Sequence, residues 1–224
     1  MPRALLYYIT DRNSFPGDES NRRHALLAKV AEAARARVDY IQLREKDLRT
    51  RDLEQLASAA LSAIRDAQPR TENREPRTAL LINSRTDVAL ATAADGVHLP
   101  ANSISIEETR RVWDLSGGTD RPHRTRAAIS LSCHRPDQVH EAALAGADLA
   151  LFAPVFEKKD APNRNPVGLD VLHQACQHHI PVFALGGVTL DNIGACLDAG
   201  AAGVAGIRLF QEHDIAEIVG RLRA

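Results

Sequence analysis

Two rhythms of apolar positions trade places along this chain of 224 residues. Short stretches with an apolar residue at every second position alternate with longer ones in which apolar residues recur every three or four. These are the spacings of strand and helix. Residues 4–10 read as a first strand. Ser20 is a residue type that caps helices and opens one through Arg37, with Leu26, Leu27, Val30 and Ala34 on its apolar face. The stretch 40–46 reads as a strand with Ile41 and Leu43 on one face and Gln42, Arg44 and Lys46 on the other. Thr50 caps the next helix, in which Leu53, Leu56, Ala60 and Ile64 recur at helical spacing. Further strands are expected over 79–83, 96–100, 127–133, 149–156, 181–185 and 203–210. Helices over 87–93, 105–113, 136–145, 170–178, 191–199 and 215–222 alternate with them, Ser105 capping one and Pro136 opening another.

Polar, proline- or glycine-bearing stretches at 68–76, 116–125 and 157–166 read as surface loops. Val38-Asp39-Tyr40, Ala94-Asp95-Gly96, Ala147-Asp148-Leu149 and Ala201-Ala202-Gly203 each close a helix and open a strand, a weak internal echo. Eight strand–helix units without a composition break predict one α/β domain over 1–224, a (β/α)8 barrel with its site at the C-terminal strand ends. An open doubly wound sheet is the alternative.

Composition narrows the functions open to such a fold. Hydrophobic residues make up 44% and charged residues 25%, which suits a filled core. A net charge of −1 and a pI near 6.8 give no electrostatic case for nucleic acid or an acidic membrane, so any anion site is local. Cys133, Cys176 and Cys196 are widely spaced without a Cys-x-x-Cys, which argues against a disulfide framework and a structural zinc, and suits a reducing cytoplasm. No apolar run approaches the roughly 18 residues that span a bilayer. A cytoplasmic protein is expected.

Candidate chemistry gathers at the strand ends. Gln42, Arg44 and Lys46 on one face of a covered parallel strand need partners, because buried charge is costly; they would point at an anion. A strand with one wet face is the plainer alternative. Gly186-Gly187 follows strand seven, where glycine lets backbone N–H groups approach an oxyanion and a helix beginning near Leu190 adds its dipole. Arg208 breaks the apolar run of strand eight and could face the same phosphate. Ser132 and His134 end strand five with side chains on one face, and His134 could donate to phosphate or move a proton near neutral pH. Lys158 and Lys159 stand in the loop after strand six as lid residues or as a solvated basic tip. His98 reads as a hydrogen-bonded core histidine.

Together these residues resemble the thiamin phosphate synthase and TenI superfamily over nearly the whole chain. The likeness rests on Gln42-x-Arg44-x-Lys46, Leu81-Ile82-Asn83, Asp95-Gly96-Val97-His98-Leu99, Ser132-x-His134, Gly146-Ala147-Asp148, Pro154-Val155-Phe156 and Leu185-Gly186-Gly187-Val188. It implies thiamin biosynthesis on a hydroxyethylthiazole phosphate as small-molecule partner, a homodimer being left open. The family's synthases join a pyrimidine diphosphate to that thiazole phosphate and release pyrophosphate, with Mg²⁺ held by two aspartates. Here those positions read Ser84 and Ser103, and a hydroxyl replaces a carboxylate poorly on a hard cation. The threonines and lysine that grip pyrophosphate are not reproduced by Glu157-Lys158-Lys159-Asp160, and Arg208 stands where a serine is expected.

These departures rank first a TenI-type, metal-independent proton transfer on the thiazole ring without cofactor. In that reading His134 moves the proton and Gln42, Arg44, Lys46, Asn83, Ser132 and Lys158 bind substrate. Gly186, Gly187 and Arg208 hold its phosphate. A divergent Mg²⁺-using synthase comes second, with Lys158, Lys159 and Arg208 partly replacing metal-held charge. A non-catalytic barrel that binds a pathway phosphate comes third.

Overall fold

In the computed structural model, which describes residues 3–68, 77–101, 103–116, 126–157 and 165–223, the two rhythms resolve into concentric layers. Eight strands, β1 (Leu5–Ile9), β2 (Tyr40–Leu43), β3 (Ala79–Asn83), β4 (Gly96–Leu99), β5 (Ala128–Cys133), β6 (Leu149–Phe152), β7 (Val182–Ala184) and β8 (Gly203–Gly206), run parallel and close on themselves, β8 pairing with β1. The helices between them are α1 (Glu19–Arg35), α2 (Thr50–Ala67), α3 (Thr86–Ala91), α4 (Ile106–Leu115), α5 (Pro136–Leu144), α6 (Gly168–Ala175) and α7 (Ile193–Asp198), followed after β8 by α8 (Arg208–Gln211) and α9 (Ile215–Arg223). This is a (β/α)8 barrel.

The period of two sorts each strand. One parity packs outward against the helices, as with Leu6, Tyr8, Ile41, Leu43, Leu80, Ile82 and Cys133. The other fills the barrel, where Tyr7, Ile9, Leu81, Leu149, Leu151, Phe183 and Ala205 form a separate apolar cluster. Its centre is aromatic: Tyr7 stacks on Tyr40 at 5.7 Å and meets Phe183 edge-on at 5.5 Å. Above that cluster the same parity turns polar with Gln42, Asn83, His98 and Ser132.

The recurring Asp before a strand has a physical role. Asp39, Asp95 and Asp148 each accept the N–H of a residue on the preceding strand: Leu6 (2.8 Å), Leu80 (2.9 Å) and Ile129 (2.7 Å). Each also pairs with arginine: Asp39 with Arg3 and Arg223, Asp95 with Arg77, Asp148 with Arg110. The fourth echo, Ala201-Ala202-Gly203, lacks the acid, and there the Ala202 carbonyl accepts from Leu5 N.

Several boundaries differ from expectation. Asp18, not Ser20, caps α1, its carboxylate accepting from Asn21 N at 2.9 Å. Arg49 stands at the cap of α2, and the Thr50 hydroxyl accepts from Arg85 instead. The strand of 40–46 stops at Leu43, because Arg44 N bonds the Thr10 hydroxyl rather than a strand neighbour. The strand of 149–156 stops at Phe152, before a cis Ala153–Pro154 bond. The apolar run 207–210 forms the helical turn α8, burying Leu209 and Phe210, so Arg208 lies beyond β8 rather than in it. A short apolar run cannot announce by itself which of the two it will be. The helix after Gly187 begins at Ile193 rather than near Leu190. Much of the loops expected at 68–76, 116–125 and 157–166 lies outside the described residues. Among the described residues no helix is long and apolar enough to cross a membrane.

Candidate active site

At the C-terminal ends of β1 and β2 the chain buries charge. The Arg12 side chain is only 5% exposed and Glu45 only 1%, which demands compensation. The Arg12 guanidinium uses its fork on three carboxylates. Nε donates to Glu19 (3.0 and 3.1 Å), Nη1 to Glu45 (3.1 Å), and Nη1 and Nη2 to Asp47 (both 2.7 Å). Glu45 also accepts from the Thr10 hydroxyl (2.6 Å) and from Arg12 N. Burial raises the Glu45 carboxyl above its ordinary range despite these donors, whereas the hydrogen bonds from Arg12 pull Asp47 down to about 2.

Beside this cluster a cavity of about 240 Å³ is lined by Asp11, Asn13, Arg44, Glu45, Lys46 and Asp47. Of the three residues assigned to one strand face, only Gln42 is in the strand. Arg44 is half-buried and Lys46 exposed on the loop that follows. The nearby Arg44 guanidinium, and then burial, lower the Lys46 ammonium. Two cations close enough to repel favour an anion between them. Neither Arg12 nor Glu45 stood out as a site residue in the sequence. Glu45 does carry a signal, since its parity puts an acid on the outward, apolar face of Ile41 and Leu43.

Gln42 turns into the barrel mouth, 1% exposed, and donates Nε2 to Asn83 Oδ1 at 2.8 Å. Its Oε1 is buried without a partner among the described residues, an acceptor facing the polar end of the barrel. Asn83 donates Nδ2 to Ser84 Oγ (2.9 Å). His98, 3% exposed, bridges Ser130 Oγ (2.8 Å, Nδ1) and Ser132 Oγ (2.9 Å, Nε2). Burial, with a smaller push from Arg44, holds its pKa down at about 3, so the ring is neutral. It is the hydrogen-bonded interior histidine expected, and it ties Ser132 into the barrel. His134 lies just past β5 on the exposed rim. Its Nδ1 faces the Ala153 carbonyl at 2.7 Å and its N–H donates to Gln138 Oε1 at 2.7 Å. A ring donating through Nδ1 leaves Nε2 as the basic nitrogen. Cys133, on the opposite face, is fully buried and its thiol is pushed up to about 12 by burial, an inert sulfur.

Across the mouth, Gly186 (φ +92°) and Gly187 (φ +67°) turn in the left-handed region that glycine tolerates best. Phe156 N donates to Gly186 O (2.9 Å) and Asn192 Nδ2 to Gly187 O (3.0 Å), stitching the turn to its neighbours. A Cβ on Gly187 would lie 2.5 Å from the Glu157 carbonyl. Arg208 opens α8, and Gln211 at its end donates to the Asp11 carbonyl (2.9 Å), so the loops after β8 and β1 are joined. Lys158 and Lys159 lie outside the described residues.

The resemblance implies Mg²⁺ ligands at two positions, which here are serines. Ser84 Oγ is engaged by Asn83, and Ser103 is exposed with its hydroxyl on the Ile104 carbonyl. Both are neutral, and the carboxylates Glu45 and Asp47 are committed to Arg12. The residues at these two positions do not fit a hard divalent cation. Among the described residues no group of three or more His, Cys, Asp or Glu side chains is arranged to hold a metal ion.

A family model described as thiamine monophosphate synthase (TMP-TENI) matches residues 6–210. The chain is 34% identical to the putative thiamine-phosphate synthase 2 of Aquifex aeolicus, over 95% of this chain and 99% of that one. It is 41% identical to the putative thiamine-phosphate synthase of Geobacter sulfurreducens, over 89% and 83% of the two chains. The thiamine phosphate pyrophosphorylase of Pyrococcus furiosus superposes with a TM-score of 0.75 at 27% identity, covering 98% of this chain and 93% of its own. With both its length and its barrel matched in this way, the chain belongs to the thiamine monophosphate synthase family.

Proposed function

We propose that this enzyme of thiamin biosynthesis is a synthase, joining a pyrimidine diphosphate to a thiazole phosphate at the barrel mouth. The observation that carries the reading is that Arg44 and Lys46, on the loop after β2, have no carboxylate partner among the described residues, while Glu45 and Asp47 of the same loop accept from Arg12. The relatives named as synthases over matching lengths also favour coupling over the proton transfer that the sequence ranked first. With β8 and β1 between them, the glycine turn after β7, suited to one phosphate, and the cationic loop after β2, suited to a diphosphate, lie on different sides of one barrel mouth. Two anion-holding corners suit two phosphorylated substrates.

In this reading Gly186 and Gly187 offer backbone N–H groups to the thiazole phosphate, with Arg208 nearby. Gln42, held by Asn83, presents Oε1 to a donor on the heterocycle, and Ser132 is oriented by His98. The C–N bond forms from the thiazole nitrogen as the C–O bond to the diphosphate breaks. Pyrophosphate leaves with that electron pair, and Arg44 and Lys46 stabilise its growing charge. No step is assigned to a metal, since Ser84 and Ser103 supply no carboxylate.

One specific observation favours a second reading. His134 is held through Nδ1 at Ala153 O, with Nε2 bare among the described residues, the form a proton-transferring base on a thiazole ring requires. The two readings separate in one assay, in which the pyrimidine diphosphate and thiazole phosphate are mixed with the enzyme, with and without Mg²⁺. Formation of thiamin phosphate and pyrophosphate supports the synthase under either condition. Bound thiazole phosphate without any coupled product sinks it and passes the assignment to proton transfer. In that case His134→Asn would abolish isomerisation and spare binding.

A further inference from the structure

Arg12 donates to protein carboxylates through its guanidinium Nε, Nη1 and Nη2. It sits in the 3-10 turn Arg12–Ser14 after β1, and reaches Glu19 on α1 and both Glu45 and Asp47 on the loop after β2. That loop alternates in charge: Arg44, Glu45, Lys46, Asp47. Left to themselves, its two cations and two acids would pair with one another, being one or three residues apart. Instead the acids turn toward Arg12, and Glu45 is buried against Thr10, whose hydroxyl also accepts the N–H of Arg44. All four residues line the cavity, but the two acids accept from Arg12, and neither cation pairs with them.

We propose that Arg12 is a positioning residue for anion binding. By engaging Glu19, Glu45 and Asp47 it withholds those carboxylates from Arg44 and Lys46, and so leaves two cations open to a diphosphate. This rests on the proposed function in one respect, that Arg44 and Lys46 meet pyrophosphate. Arginine suits the task because its planar fork spans several carboxylates, which a lysine ammonium cannot do.

The test uses the full chain and inorganic pyrophosphate, with binding followed by titration calorimetry at fixed salt. Arg12→Met is expected to weaken binding about tenfold or more, the scale of one lost charge-assisted contact, as Arg44→Ala does. Adding Glu45→Gln and Asp47→Asn to Arg12→Met is expected to restore most of that loss, because the two acids freed from Arg12 no longer carry charge to capture Arg44 and Lys46. A merely structural Arg12 would give no such restoration, and that result overturns the inference. Should Arg12→Met fail to melt cooperatively, Arg12→Lys carries the same comparison. A wild-type chain that ignores pyrophosphate sinks both this inference and the cationic corner of the proposed function. Wild-type binding that Arg12→Met leaves unchanged sinks this inference alone.

Discussion

His98 makes the barrel sensitive to acid. Its pKa is held at about 3 in the folded protein, chiefly by burial, against about 6.5 in an unfolded chain. Between those values the unfolded state binds the extra proton. The stabilisation is therefore complete above about pH 6.5 and is lost as pH falls toward the folded value. Urea unfolding at pH 7.5 and 5.5 should cost wild type about 1.4 kcal/mol more than His98→Gln, from one pH unit inside the window. An identical pH response in both would refute the assignment. Gly187 offers a second residue-scale expectation. With φ at +67° and the Glu157 carbonyl 2.5 Å from the position of a Cβ, Gly187→Ala must displace the turn. Affinity for thiazole phosphate should fall at least tenfold, about 1.4 kcal/mol, while the melting curve stays cooperative. Residue types in sequence pointed to Gln42, His98 and Gly187 because each is unusual where it stands. They did not point to Arg12, whose meaning comes from acids at positions 19, 45 and 47.

Elements meet at the foot of the barrel through a repeated device. Asp39 accepts from Leu6 N and from Arg223 Nη2 at 2.7 Å, joining β1, β2 and the last helix; its side chain is 11% exposed. Asp39→Ala leaves the Leu6 N–H without its acceptor and removes the carboxylate bonded by Arg223 Nη2, whose Nη1 keeps the Arg37 carbonyl. It should cost about 2–3 kcal/mol, read as a lower urea midpoint with unchanged slope. An unchanged midpoint would show that the acid is dispensable. The echo Asp39, Asp95, Asp148 is visible in sequence, and the element order follows from it and from the periodicities. Element ends were less legible. The strand expected to reach Lys46 ends at Leu43, and the one expected to reach Phe210 ends at Gly206. In both places tertiary hydrogen bonds or burial of a turn overrode a continuing apolar pattern.

Across the whole molecule, closure depends on two strands approaching with nothing between them. A Cβ on Gly203 would sit 2.0 Å from the Leu5 carbonyl at the β1–β8 seam. Gly203→Ala should therefore abolish the cooperative thermal transition and the near-ultraviolet circular dichroism of the packed aromatics. A sharp melt would refute that account of the seam. The eight-unit alternation, the inward and outward parities, and the glycine turn after the seventh strand are properties of the sequence itself, because local sterics and hydrophobic period dictate them. That Ser84 and Ser103 offer hydroxyls rather than carboxylates is likewise a local fact. Only the tertiary structure decided that Glu45 and Asp47 pair with Arg12, that His98 holds Ser132, and that Arg208 begins a helical turn rather than continuing the last strand. Each depends on groups far apart in the chain, and burial gives those contacts their energy; periodicity along one segment carries no record of them.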